Sequence, residues 1–238
     1  MNVEINGPKI LGYLFGNTNL PITETMRNAW IIMAFILLLC IFLTHRMEKI
    51  PKGKQAFAEK AVLMIDSFVD STMGEGCRAF SPYIMTLMMS SLFGSLASLF
   101  WMRSTTADLN TTLGWAIITF ILITYNKIKF GGIGGYLKGF LEPIFVMAPL
   151  NVLSEIATPV SMSFRHFGNM AGGLVITTLI MGALKVLSNA VLGFLPVPLL
   201  QIGLPGVLSL YFDCFTACMQ AFIFSMLTMA YVGDARGS

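Results

Sequence analysis

The sequence predicts an all-α membrane protein. About five membrane-embedded helices are expected, with one amphipathic surface helix, and the last two spans are long and strongly tilted. Three observations predict this. The first is composition: of 238 residues, 55% are hydrophobic and only 11% charged, against about 25% charged in soluble domains. The mean hydropathy is +0.76. The second is that basic clusters follow apolar runs, as cytoplasmic flanks do. The third is that the last two apolar runs are too long for a bilayer crossed upright. The chain is read as a single integral membrane domain over 1–238. A net charge of +3 gives no basis for nucleic-acid binding, and no cofactor motif is present.

Residues 1–25 read as an irregular leader containing Gly7, Pro8, Gly16 and Pro21. It lacks a basic start, so no cleaved signal peptide is predicted. The first span is 29–44, followed by HRMEKIPKGK. That basic flank places its end in the cytoplasm and the N-terminus outside. In 54–72, Phe57, Ala61, Met64, Ile65 and Phe68 recur at helical spacing with Lys60, Asp66 and Asp70 elsewhere. This predicts an amphipathic helix on the membrane surface or against another subunit. Residues 82–125 form a helical hairpin turning at RSTTADLN, and GGIGG beyond it reads as a flexible turn. Lys127, Lys129 and Lys138 put the hairpin's far end in the cytoplasm.

The segment 151–232 holds a tilted helix pair, one helix containing Pro159. They are separated by SNAVLGFLPVPLLQIGLPG, whose three prolines interrupt the helix. A helix of roughly 35 residues is about 50 Å long, beyond the roughly 30 Å of hydrocarbon. Of the cysteines, Cys40, Cys77, Cys214 and Cys218, three lie in or beside apolar segments and read as small hydrophobes.

The polar residues inside this pair carry the functional reading. Arg165 stands in a stretch with no acidic residue from Ile156 to Phe212. A guanidinium stays charged, and a helix-centre Arg costs about 2.5–3.5 kcal/mol on insertion scales. Such a residue faces a cavity, a partner or an ion path. Asn169 lies four residues on, on the same face, and Gly168 and Gly172 allow a close helix approach. Glu155 is about 15 Å along the axis toward the cytoplasm. Asp213 and Gln220 share a face of the last helix. A fixed cation between two carboxylates suits ion translocation: the carboxylates exchange protons, and the Arg bars a direct leak and lowers the pKa of an acid arriving on a partner. An Arg–carboxylate pair that merely joins two helices is the structural alternative. His166 reads as a hydrogen-bonded packing residue.

TTADLNTTLGWAI, FRHFGNMAGG and MQAFIFSMLTMAYV, in this order and spacing, resemble three motifs of subunit a of the F-type ATP synthase, over almost the whole chain after the leader. The resemblance implies a non-catalytic stator against which a ring of c subunits turns, in a bacterial plasma membrane, beside the b-subunit stalk and the rest of the complex. It implies two offset half-channels with Arg165 between them. Asn169 and Gln220 are then polar neighbours on the ring-facing surface, Glu155 belongs to the cytoplasmic half-channel and Asp213 to the outer one. Two positions depart from the family pattern. Leu174 stands where some members carry a titratable residue, and His166 stands where Leu is common.

Two other classes compete with this reading. A secondary transporter would bind an anion at Arg165, but the chain shows no repeat or second broken helix. An intramembrane hydrolase would need a motif such as GxSxG or HExxH, and neither is present.

Overall fold

The computed structural model describes residues 9–13, 21–45, 47–74, 76–100, 102–141, 145–191 and 204–237. It is helical nearly throughout: α1 (Glu24–Thr44), α2 (Lys54–Met73), α3 (Ser81–Leu96), α4 (Leu109–Leu141), α5 (Ala148–Val191) and α6 (Leu204–Gly237). Five segments are long and apolar enough to cross a membrane: Glu24–Thr44, Arg78–Phe100, Leu109–Leu141, Phe145–Ser188 and Asp213–Arg236.

The leader is not wholly irregular. Strand β1 (Ile10–Tyr13) pairs antiparallel with β2 (Pro21–Thr23), and the β-branched and aromatic residues Ile10, Tyr13, Ile22 and Thr23 favour extended pairing despite the leader's Gly and Pro content. Residues 1–8 and 14–20 lie outside the described residues. Helix α1 begins at Glu24, five residues before the predicted span. Thr23 is extended and its Oγ1 accepts from the Met26 amide at 3.4 Å, which caps the first turn. Most of α1 faces away from the chain, with Leu37, Leu38 and Phe42 exposed. That suits a lipid-facing span.

Helix α2 is bounded by Gly53 and Gly74, both at positive φ (56° and 87°), where glycine is the natural terminator. It packs on α6, α3 and α1 through Ile65, Val69 and Met73, with Phe68 alongside. The expected apolar face is therefore only partly the buried one. Phe57 and Met64 are exposed, because the inward stripe is rotated toward Val69 and Met73.

The predicted hairpin differs in two ways. Although α3 and α4 touch at the Tyr83–Thr119 hydroxyl bond (3.0 Å), each takes its main partner from the C-terminal pair, α3 against α6 and α4 against α5. The second helix also extends past GGIGG, as two helical stretches that meet at a break within that run and end at Leu141. A single non-helical residue, Gly132 (φ 70°, ψ 165°), breaks it. Only one of the four glycines is needed for that kink, and the others remain helical.

Helix α5 has 44 residues, about 66 Å at the α-helical rise and roughly twice the hydrocarbon thickness. It cannot stand upright and keep its length within the hydrocarbon. Pro159 lies inside it and has no amide to give the Glu155 carbonyl four residues back. The predicted break spans two cases: Pro196 and Pro198 lie outside the described residues, while Pro205 sits in the first turn of α6, where a missing amide does no harm.

Polar ties fasten each end of the bundle. At one end, Thr25 Oγ1 donates to Asp108 Oδ2 at 2.6 Å and Asn28 Nδ2 to the Arg103 carbonyl at 2.9 Å. At the other, Arg236 Nη1 donates to Cys77 Sγ at 2.6 Å, and its guanidinium lies 4.9 Å from the centre of the Phe130 ring. Ile65, Val69, Met73, Ile84, Ile123, Met229 and Val232 fill the core beside this second clasp.

Candidate functional site: an open cation between two carboxylates

Helix α5 presents two opposite faces around its middle. The inner face carries Met162, Ser163, His166 and Met170, all buried. Ser163 Oγ bonds Thr112 Oγ1 of α4 at 3.1 Å. His166 Nε2 bonds Ser91 Oγ of α3 at 3.2 Å, and its ring meets Trp115 and Phe224 edge-on at 5.9 and 5.4 Å. The expected hydrogen-bonded packing role for His166 is the geometry observed.

The outer face carries Arg165, displaced by about 100° from His166. Arg165 is exposed, and no described residue hydrogen-bonds or ion-pairs with it. Among the described residues, then, no intrachain Arg–carboxylate pair forms at Arg165. Asn169, also exposed, stands beside it, with Ser161 one turn before. A Cβ added at Gly168 or Gly172 would meet no described residue within 4 Å. The guanidinium thus rises from an exposed face of Ser161, Gly168 and Asn169.

The two carboxylates have other partners. Lys127 Nζ of α4 donates to Glu155 Oε2 at 2.8 Å and to Oε1 at 3.0 Å. The pair lines a cleft of about 770 Å³ together with Tyr136, Asn151, Tyr231 and Asp234. This cleft lies at the Arg236 end of the bundle. Asp213 of α6 instead lies toward Ser98, whose hydroxyl donates to the Ser95 carbonyl at 3.0 Å, and no described residue ion-pairs with the carboxylate. Ser98 is next to the Arg103–Asp108 loop, at the opposite end. Gln220 departs from expectation: it is 6% exposed and lies on the buried side of α6 with Ala217, Ala221 and Phe224, rather than open beside Asn169.

Sequence reasoning passed over Lys127, Ser98 and Ser91. Lys127 reads as a marker of orientation, and nothing local links it to Glu155, 28 residues away. The serines carry no signal in an apolar run until another helix is laid against them.

A family model described as the ATP synthase A chain matches residues 26–233. The chain is 30% identical to the sodium ion specific ATP synthase subunit a of Propionigenium modestum, over 98% of this chain and 86% of that one. It is 34% identical to ATP synthase subunit a of Desulforamulus reducens, over 89% of this chain and 78% of the relative. Against ATP synthase subunit a of Moorella thermoacetica the identity is 30%, over 90% and 91%. Five apolar helices among the described residues, a central arginine on an exposed face and this match over nearly the full length agree: the chain belongs to the ATP synthase subunit a family.

Proposed function

We propose that this subunit conducts the coupling ion of an F-type ATP synthase through two offset half-channels, and that Arg165 separates them at the surface of the c ring. The observation that carries this is the exposed Arg165 guanidinium, paired with no described residue, on a face whose glycines have no described residue against them. A charge of that kind in an apolar setting calls for a partner, and a ring carboxylate passing the face is one. Glu155 and its cleft, at the Arg236 end, form the cytoplasmic half-channel. Asp213, at the opposite end, serves the outer one. Asn169 flanks the cation, and Gln220 supports the site from within the bundle. The subunit is non-catalytic. It works beside the b-subunit stalk in a bacterial plasma membrane, N-terminus outside and C-terminus cytoplasmic. The transporter alternative has no support from the family match.

The coupling ion is read as the proton. One relative's name specifies sodium, so sodium is the second reading. Synthesis in reconstituted vesicles driven by a pH gradient in sodium-free buffer favours the proton, and a strict need for sodium reverses the choice.

Arg165→Ala tests the central claim. Moving one charge across 100 mV yields about 2.3 kcal/mol, which a leak past the ring dissipates. The variant is expected to abolish gradient-driven synthesis and raise passive leak, while the catalytic head still hydrolyses ATP. Arg165→Lys is expected to restore little, because an ammonium is a compact point charge that sheds its proton when buried. Substantial synthesis by the Ala variant would remove Arg165 from the mechanism.

A further inference from the structure

Between apolar helices in lipid there is no hydrophobic force to choose one rotation over another, because lipid tails are as apolar as the helix surfaces. Rotation is then set by close packing and by polar bonds that only one setting satisfies. Near its middle, α5 makes two side-chain bonds to other helices, Ser163 to Thr112 at 3.1 Å and His166 to Ser91 at 3.2 Å. They fall at i and i+3, on one face, and they bracket Arg165. Both pairs are fully buried, with Ser163, Thr112 and Ser91 at 0% exposure and His166 at 1%. They reach different neighbours, α4 and α3, so together they hold the helix from two directions. The Trp115 and Phe224 ring edges close on the imidazole from two more. Rotating α5 by one residue would turn Arg165 by about 100° and break both bonds.

We propose that His166, through its bond to Ser91, is a positioning residue that fixes the rotation of α5 and thereby aims Arg165 at the open face. A buried polar contact of this sort specifies register more than it adds stability, as a single buried Asn does in a coiled coil. The proposal rests on the ion-conducting reading of Arg165, and the test separates the two.

The test uses the whole complex, purified and reconstituted in vesicles. Three quantities are compared: yield of assembled complex, gradient-driven ATP synthesis, and passive ion leak. His166→Leu is expected to assemble at normal yield, to lower synthesis about threefold, as loss of one membrane hydrogen bond would, and to raise leak, with Arg165 untouched. Ser91→Ala, which removes only the bond, is expected to do the same, and the double variant to be no worse than either single one. His166→Gln, whose amide can still reach Ser91, is expected to recover most of the loss. A purely structural role would lower yield and leave the coupling of the complexes that do assemble unchanged; that result overturns the proposal. If His166→Leu does not assemble, Ser91→Ala decides: unchanged leak and synthesis in that variant sink the idea. If Arg165→Ala itself leaves synthesis intact, it is the ion-conducting reading that fails. If Arg165→Ala abolishes synthesis while Ser91→Ala and His166→Leu match the native complex, only the positioning role is lost.

Discussion

Lys127 holds both carboxylate oxygens of Glu155, at 2.8 and 3.0 Å, ten residues along α5 from an Arg165 that pairs with no described residue. The two cations thus divide their work: one neutralises the carboxylate on the cleft, and the other is left open. Removing Lys127 leaves a half-buried carboxylate without its counter-charge, which costs more than removing the whole pair. Glu155→Gln is expected to reduce gradient-driven synthesis. Lys127→Ala is expected to reduce it and also lower complex yield, and the double variant Lys127→Ala with Glu155→Gln is expected to regain yield over Lys127→Ala alone. Yields that fall further in the double variant would show that the pair is not coupled.

Asp213 offers a different test, because no described residue gives it a counter-charge. If it exchanges protons in the outer half-channel, Asp213→Asn slows gradient-driven synthesis severely, and Asp213→Glu or Asp213→His retains a useful fraction. Equal synthesis by the Asp and Asn forms would make titration there irrelevant.

The orientation of the chain is open to direct measurement. Thr106 is wholly buried against Ser95, so a label placed there reports packing and not sidedness. Asn110 and Lys138 are both exposed, near opposite ends of α4. An impermeant thiol reagent outside is expected to modify Asn110→Cys and spare Lys138→Cys. The reverse pattern inverts the topology.

Two glycines of similar appearance are expected to behave in opposite ways. A Cβ at Gly94 would run into the Thr105 hydroxyl, where the Arg103–Asp108 loop drops against α3. Gly94→Ala is expected to destabilise the complex in thermal unfolding, by about 1–3 kcal/mol, as overpacking does. Gly168→Ala meets no described residue within 4 Å, so assembly is expected to be retained and, if this face meets the ring as proposed, coupled synthesis to fall. Identical melting curves for native and Gly94→Ala complexes would contradict the packing described.

Much of this architecture is legible in the sequence because the bilayer imposes it. Apolar length and basic flanks report the spans, and an arginine amid apolar residues announces itself. The rest depends on contacts between helices. The rotation of α2 toward Val69 and Met73 follows from what α6 offers it, and the buried setting of Gln220 follows from how α6 lies against its neighbours. Glycine content alone does not distinguish a turn from a helix kinked once at Gly132. The two-stranded ribbon in the leader has the same cause: pairing between residues ten apart leaves little trace in composition.

The clasp of Arg236 with Cys77 has a mechanical consequence. A rotor dragging past α6 loads it sideways. Its last turns are clamped, with Gly233 lying so close to Met73 that a Cβ would come within 3.3 Å of the Met73 backbone. Toward its other end, Leu210, Tyr211 and Phe215 stand exposed. On the proposed function, α6 behaves as a beam held at its Arg236 root. A sideways load from a passing ring subunit bends it most at that root, so the strain of rotation is borne where Gly233 meets Met73.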